Sequence, residues 1–247
     1  MDIKRYLDST YLKTAEQAGL SELENEKIAK KFIQEAIDED FKLIMIRPNR
    51  VSLAKKMIVD AVSKVQIGTV IDFPEGKSAI ELKLDEAIKC IAVGADELDF
   101  VCNYQAFKNG NVSLVKEEIL SGTKLALDNN KIVKWIIEVA ALDNLQIAQL
   151  SALIKNVVIS NFNEELFQSV FVKSSTGFFK TQDNLPNGAT IDAITIMLEN
   201  ANPLPVKAAG GVRTYQEAIE MINLGVKRIG TSGAKAIANG QKSDSQY

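Results

Sequence analysis

The sequence contains no histidine among its 247 residues. This absence excludes a Ser-His-Asp triad, and it removes the side chain that most often binds metal ions and moves protons near neutral pH. Cysteine is nearly as scarce. Cys90 and Cys102 have no second pair to complete the four ligands of a structural zinc site. We therefore expect no metal and no cofactor. Any catalysis would depend on side chains other than histidine and cysteine.

Long apolar segments are also missing. No run approaches the roughly 18 apolar residues of a membrane span, and residues 1–8 lack the apolar stretch of a signal peptide. We expect a cytoplasmic protein with reduced thiols and no membrane partner. The formal net charge is -3 and the basic residues are spread along the chain. That charge pattern argues against nucleic acid as a partner and favours small molecules.

The sequence does contain a regular alternation of short apolar runs, which predict strands, and amphipathic stretches, which predict helices. Eight such units are the number that closes a (β/α)8 TIM barrel, an α/β fold. A doubly wound open sheet is the alternative, although a glycine-rich dinucleotide fingerprint is absent from the first strand. The predicted strands are Tyr6 to Thr10, Phe41 to Ile46, Ile67 to Ile71, Leu98 to Val101, Val133 to Val139, Val170 to Val172, Leu204 to Val206 and a last one near Ile229.

Capping residues mark several helix ends. Ser21 and Glu24 have the spacing of a capping box, and Asn49 is a candidate N-cap for the next helix. Gly94 and Gly225 each end a helix before a strand. No linker rich in Pro, Gly or Ser divides the chain. We expect one barrel domain over residues 1–239 and a flexible polar tail at 240–247.

Charged residues close four of the predicted apolar strands: Asp99, Glu138, Lys173 and Lys207. In a barrel these strand ends face the C-terminal rim, where active sites of this fold lie. Lys173 and Lys207 would occupy adjacent strands, so one ammonium would lower the pKa of the other. A neutral lysine amine attacks carbonyl groups to form a Schiff base. Proton transfer would then fall to Asp99 or Glu138.

Glycine-rich loops follow the last two predicted strands. Gly210 and Gly211 follow strand seven, and the G-T-S-G segment at 230–233 precedes a short helix at 234–238. Glycine lets backbone N–H groups approach a ligand, and phosphate sites of these barrels use such loops. The two loops together predict a phosphate site.

The F-V-K-S-S-T-G-F text at 171–178 resembles the F-V-K-T-S-T-G-F motif of class I deoxyribose-phosphate aldolases. Further similar segments run in the family's order and extend the resemblance over nearly the whole chain. They are L-D-S-T-Y-L-K at 7–13, V-I-D-F-P at 70–74, G-A-D-E-L-D at 94–99, V-K-A-A-G-G-V-R at 206–213 and R-I-G-T-S at 228–232.

This resemblance implies a barrel that reversibly cleaves 2-deoxy-D-ribose 5-phosphate into acetaldehyde and D-glyceraldehyde 3-phosphate, in deoxyribonucleotide catabolism. It implies Lys173 as the Schiff-base lysine, Lys207 as the neighbour that lowers its pKa, and Asp99 as the proton-relay acid. Asp8 would hold Lys207. The implied substrate and phosphate contacts are Thr10, Thr176, Gly177, Gly210, Gly211, Gly230, Ser232 and Gly233.

The chain departs from the family's usual text at several positions. Ser9 replaces a frequent histidine, and Met45 stands where cysteine is common. Ala209 and Gly233 replace serines, which leaves fewer hydroxyls around the expected phosphate. The loop at 178–188 is longer than usual and could reshape the mouth of the site.

Two other functions fit the same residues. One is a different Schiff-base barrel aldolase that takes a ketone donor, and the other is a sugar-phosphate binding protein that has lost catalysis. For assembly we expect a homodimer. The tail ends in Tyr247, whose phenol could relay a proton if the tail folds back over the rim of the barrel.

Overall fold

The computed structural model describes residues 2–182 and 185–241 and contains eight parallel strands in a closed barrel. Each strand pairs with the next along the chain, and the first pairs with the last. The predicted (β/α)8 barrel is confirmed. The strands are β1 (Leu7–Tyr11), β2 (Leu43–Ile46), β3 (Gln66–Ile71), β4 (Glu97–Val101), β5 (Ile132–Ile136), β6 (Val170–Lys173), β7 (Val206–Ala209) and β8 (Arg228–Thr231).

Helices alternate with these strands and cover the outside of the barrel. Within residues 2–182 and 185–241, no helix is both long enough and apolar enough to cross a membrane. Tyr247 and most of the predicted tail lie outside the described residues. The helices are α1 (Ala15–Ala18), α2 (Glu22–Asp38), α3 (Val51–Asp60), α4 (Ile80–Ala92), α5 (Tyr104–Lys108), α6 (Val112–Asp128), α7 (Asn144–Asn161), α8 (Ile191–Ala201), α9 (Tyr215–Leu224) and α10 (Ala234–Ala238).

The predicted helix ends are correct except at Asn49. The Ser21 side chain accepts a hydrogen bond from the Glu24 backbone N–H, and the Glu24 carboxylate accepts one from the Ser21 backbone N–H, which confirms the capping box of α2. Asn49 instead lies inside the 3-10 helix Pro48–Arg50. Arg50 therefore occupies the N-cap position of α3, without a side-chain hydrogen bond.

Strands β5 and β7 depart furthest from the predicted boundaries, by three residues at their C-terminal ends. Strand β7 begins at Val206, where the predicted strand ended, because Pro203 and Pro205 have no N–H to donate to a ladder. Strand β5 ends at Ile136 rather than Val139. Glu138 has a φ of 56°, in the left-handed region, so the chain turns away from the sheet there.

The barrel interior is apolar on one side. Leu12, Leu43, Met45 and Val70 form a buried cluster that is separate from the layer between helices and sheet. Gly68 on β3 makes space for it, because a Cβ there would lie 2.5 Å from the Met45 methyl carbon. Since these side chains fill the β2–β3 side of the interior, the charged groups come from the remaining strands.

The packing of α6 on the sheet yields a stability prediction. Gly122 lies against the buried Trp135 ring, and a Cβ at Gly122 would lie 2.8 Å from two ring carbons. We expect Gly122→Ala to destabilise the fold by about 1–3 kcal/mol, although alanine favours helix, because a buried indole cannot move aside. Urea unfolding measures this. Ser113→Ala, on the exposed surface of α6, is the control and should change stability by less than about 0.5 kcal/mol. A stabilised Gly122→Ala variant would contradict the packing argument.

Candidate active site

Charged side chains occupy the other side of the barrel interior, all of them at most 4% exposed. Many of their ion pairs join strands that are not neighbours in the sheet, as between Lys173 on β6 and Asp99 on β4. Such contacts are possible only across the interior. The set comprises Asp8, Glu97, Asp99, Lys134, Lys173, Lys207 and Arg228.

Asp99 is the centre of this charged set. Its Oδ2 lies 2.8 Å from Lys173 Nζ and 3.0 Å from Lys207 Nζ, and its Oδ1 lies 2.6 Å from Lys134 Nζ. Burial alone would raise the pKa of Asp99, but the three ammonium groups hold that pKa well below its usual range. Asp99 is therefore a carboxylate.

Beneath Asp99, a second tier of charges supports the lysines. Arg228 Nη2 lies 2.6 Å from Asp8 Oδ1, and its two terminal nitrogens contact both oxygens of Glu97 at 3.1 and 3.2 Å. Lys134 Nζ lies 2.5 Å from Glu97 Oε2, which joins this tier to Asp99. The two tiers form one continuous network, in which each charge has an opposite partner.

Lys207 is fixed as a cation by two carboxylates. Its Nζ lies 2.6 Å from Asp8 Oδ2 and 3.0 Å from Asp99 Oδ2. Burial would lower its pKa, but these carboxylates outweigh burial and raise it. Gly230 on β8 leaves room for the chain of Lys207, because a Cβ at Gly230 would lie 3.1 Å from Lys207 Cε.

Lys173 differs from Lys207 and Arg228, whose pKa values are raised, because its own pKa is lowered, to about 8. Burial is the largest cause, the charges of Lys207 and Lys134 add to it, and Asp99 opposes it. Lys173 and Lys207 are register partners on β6 and β7, as the sequence predicts for neighbouring lysines. Lys173 thus exchanges between ammonium and free amine near neutral pH.

Glu138 lies apart from the charged network. Its carboxyl contacts the Ser175 hydroxyl at 2.7 Å and the Thr176 backbone N–H at 3.2 Å, and it also accepts a hydrogen bond from the Thr176 hydroxyl. Thr176, expected to touch substrate, is therefore engaged with Glu138. Thr10 donates its hydroxyl to the Asp8 carbonyl oxygen at 2.9 Å within β1.

A cavity of about 590 Å³ lies between the loops that follow β6 and β7. Three predicted positions line it, namely Gly177, Gly210 and Gly211, and so do Asn187, Gly188 and Arg213. Ser232 and Gly233 lie on the next loop, ahead of α10. The cavity walls thus combine glycine backbone with one guanidinium, a combination suited to an anion.

An aromatic pair covers the apolar side of the mouth. The rings of Phe73 and Phe178 meet edge to face at 5.1 Å. The Arg47 guanidinium carbon lies 4.8 Å from the Phe73 ring centroid, and Arg47 Nε donates to the Leu12 carbonyl oxygen at 2.7 Å. The aromatic pair therefore packs against the apolar cluster of the interior, with the Arg47 guanidinium over one ring.

Comparison with known proteins gives the chain its family. No family model matches the sequence. The deoxyribose-phosphate aldolase of Thermococcus gammatolerans is 36% identical over 243 residues, which cover 98% of this chain and 97% of that protein. The enzyme of the same name from Streptococcus suis is 35% identical and is matched over the full length of both chains. The chain belongs to the deoxyribose-phosphate aldolase family.

Solved structures agree with this membership of the deoxyribose-phosphate aldolase family. A structure described as "QR15, an Aldolase" is 29% identical, with a TM-score of 0.80 over 97% of this chain and 95% of that one. The deoxyribose phosphate aldolase of Aeropyrum pernix, described as a unique tetramer, is 25% identical, with a TM-score of 0.76 over 96% of this chain and 89% of that one. The barrel is thus the fold of the family's solved members.

Sequence reasoning missed three charged residues of this family member's interior, Glu97, Lys134 and Arg228. The sequence did hold a signal for Lys134, because that lysine interrupts the apolar run of β5. A charge in the middle of a buried strand needs an oppositely charged partner across the interior. The sequence prediction covered only charges at strand ends.

The position of Lys134 predicts its effect on Lys173. Lys134→Met removes a cation that lowers the pKa of Lys173, so we expect that pKa to rise above about 8. Competitive acetylation with isotopic acetic anhydride, followed by peptide mass mapping, reports the titration of Lys173. Lys116→Met on the exposed face of α6 is the control and should leave the midpoint unchanged. An unchanged midpoint in Lys134→Met would show that Lys134 does not act on Lys173.

Proposed function

We propose that this protein is a class I, Schiff-base aldolase that reversibly cleaves 2-deoxy-D-ribose 5-phosphate into acetaldehyde and D-glyceraldehyde 3-phosphate. The observation that carries the proposal is Lys173, buried at the rim of a charged barrel with a pKa of about 8. At that pKa a substantial fraction of the lysine is a nucleophilic amine near neutral pH. The printed names of the curated relatives support the substrate.

The proposed reaction begins when the Lys173 amine attacks the aldehyde carbon of the open-chain sugar. The resulting carbinolamine loses water to give a protonated imine. Removal of the proton from the sugar's C3 hydroxyl then breaks the C2–C3 bond, and the bond's electron pair passes to the imine nitrogen. D-glyceraldehyde 3-phosphate leaves, and the remaining enamine is protonated at carbon and hydrolysed to acetaldehyde and the free amine.

Asp99 and Lys207 are placed to move the protons of this sequence. Asp99 Oδ2 contacts both Lys173 Nζ and Lys207 Nζ, so a proton released at the reacting nitrogen has a carboxylate and an ammonium next to it. Asp8 holds Lys207 in its charged form. We assign Asp99 as the relay, with Lys207 as the group that keeps Lys173 neutral, and Glu138 has no contact in this path.

We assign the phosphate of the substrate to the cavity between the loops that follow β6 and β7. Gly210 and Gly211 have φ values of 80° and 90°, a backbone conformation that favours glycine and leaves the backbone at the cavity wall without a side chain over it. Arg213 supplies a positive charge at the cavity wall. We propose that these groups, with Ser232 on the neighbouring loop, hold the phosphate and place the aldehyde carbon at Lys173.

We also propose a cellular role and an oligomeric state for the protein. Cleavage of a deoxyribose phosphate would place the protein in deoxyribonucleotide catabolism, in the cytoplasm. We expect a homodimer, which sedimentation equilibrium tests. The proton-relay role of Tyr247 stays a prediction, which deuterium exchange into acetaldehyde tests in a truncated chain.

Trapping the imine tests the proposed function. Borohydride reduction in the presence of acetaldehyde should add one ethyl group to Lys173, which peptide mass mapping locates. We expect Lys173→Arg to lose activity by several orders of magnitude, because guanidinium is never a neutral nucleophile in proteins. Lys116→Arg is the control and should keep full activity. Ethyl groups found only on exposed lysines would refute the proposal.

A second prediction concerns the phosphate. We expect Arg213→Gln to raise KM for 2-deoxyribose 5-phosphate by about 10- to 100-fold, the effect of losing one charged hydrogen bond, with little change for unphosphorylated deoxyribose. Lys227→Gln, an exposed charge change before β8, is the control. Steady-state assays with both sugars measure this. Equal loss with both sugars would place the phosphate elsewhere.

A further inference from the structure

Glu138 is a buried carboxyl group that the proposed reaction leaves without a task. It follows β5, has a left-handed backbone and is 1% exposed. Its Oε1 lies 2.7 Å from Ser175 Oγ, and its Oε2 faces the backbone N–H and hydroxyl of Thr176. All of these partners lie in the turn that immediately follows Lys173.

The hydrogen bonds of Ser175 fix the protonation state of this carboxyl group. Ser175 Oγ has three partners: the Gly177 backbone N–H at 2.9 Å, the Asn187 carbonyl oxygen at 2.6 Å and Glu138 Oε1 at 2.7 Å. The carbonyl oxygen only accepts and the N–H only donates. The single hydroxyl hydrogen therefore goes to Asn187, and one lone pair accepts from Gly177.

The remaining lone pair of Ser175 then faces Glu138 Oε1. If Oε1 were a carboxylate oxygen, its lone pair would face the Ser175 lone pair at 2.7 Å, which is repulsive. A protonated Oε1 would instead donate its hydrogen to the Ser175 lone pair. Oε2 needs no proton, because it accepts from both groups of Thr176, whose hydroxyl in turn accepts from the Phe178 N–H at 3.0 Å. Every donor and acceptor is satisfied when Oε1 carries a hydrogen.

We propose that Glu138 is a protonated carboxylic acid and a positioning residue, which ties the turn after Lys173 to the loop that walls the anion cavity. The charged and titratable groups that face it are Lys173 on β6 and Tyr104 on α5. Burial raises the pKa of Glu138, and the hydrogen bonds and the charge of Lys173 oppose that rise only in part. When Lys173 loses its proton, its charge no longer lowers the pKa of Glu138, so that pKa rises further.

The contacts continue from Asn187 to Gly210, in the loop that follows β7. Gly188 packs directly on Gly210. A Cβ added at Gly188 would lie 2.5 Å from the Gly210 carbonyl oxygen. The Ala189 N–H donates to that same oxygen at 2.8 Å. If Glu138 loses its proton, the Ser175 hydrogen turns to the carboxylate and the Asn187 carbonyl loses its donor. The loop that carries Gly188 is then held less firmly against Gly210.

The kinetic consequence rests on the proposed function. We expect KM for 2-deoxyribose 5-phosphate to rise about 3- to 10-fold as Glu138 deprotonates, the effect of one hydrogen bond, without a matching fall in kcat for unphosphorylated deoxyribose. Glu138→Gln mimics the protonated acid, because its amide donates to Ser175 and its carbonyl accepts from Thr176. This variant should keep the low KM at every pH.

Two controls separate the carboxyl proton from other effects. Ser175→Ala removes the bridge, so its KM should be high and should not respond to Glu138. Glu199→Gln makes the same chemical change on the exposed face of α8 and should titrate like the parent. A Glu138→Gln variant that behaves like Ser175→Ala would overturn the proposal, because the amide would then fail to replace an acid.

Infrared difference spectroscopy at neutral pH tests the proton itself and requires no activity. The parent minus Glu138→Gln spectrum should show the carbonyl stretch of a protonated carboxyl group, and the parent minus Glu199→Gln spectrum should show only a carboxylate. A carboxylate signal for Glu138 would overturn the proposal even in an active aldolase. A protonated signal in a protein that fails to cleave the sugar would sustain it and reject only the proposed substrate.

Discussion

The convergence of three lysines on Asp99 is the interaction on which the rest of the site depends. A carboxylate with contacts of 2.6 to 3.0 Å to Lys134, Lys173 and Lys207 can exist only where strands from different sides of the sheet face one another. The closed barrel provides this arrangement, because residues on β4, β5, β6 and β7 all point into one interior. The charge cluster therefore depends on closure of the barrel.

The charge count of the interior explains why one lysine is reactive. Among the described residues, the interior ion pairs join four cations, Lys134, Lys173, Lys207 and Arg228, to three carboxylates. Burying an unmatched charge costs several kcal/mol, so the network favours the loss of one proton. Two carboxylates hold Lys207, and Arg228 is bound to Asp8 and Glu97. Lys173, with Asp99 as its one carboxylate partner, is the group that gives up the proton.

The sequence was sufficient for the fold class and for the residues at the centre of the site. Alternating apolar runs and the glycines that end helices predicted eight βα units, and the paired lysines predicted a lowered lysine pKa. The second tier was not predictable in the same way. An isolated strand does not show whether Arg228 or Glu97 points inward, and their partners lie 220 and 131 residues away along the chain.

The misplaced elements have local causes. Prolines shifted β7 toward its C-terminus, and a 3-10 turn took the place of the helix start expected at Asn49. Glu138 shows a different limit. Its position after a strand suggested a proton carrier, but its hydrogen bonds depend on Asn187, in a loop with no strand or helix pattern of its own. Only the folded arrangement shows that Ser175 connects Glu138 to this loop.

The central claim is that the unmatched positive charge of the interior is relieved at Lys173. Nitrogen-15 NMR of the lysine side chains, with Lys173 assigned by comparison with Lys173→Arg, tests it most directly. We predict that the Lys173 nitrogen titrates near pH 8 while Lys207, whose pKa the two carboxylates raise, remains an ammonium ion well above that pH. A Lys173 nitrogen that stays protonated up to the range of an exposed lysine, or a proton lost first from Lys207, would contradict it.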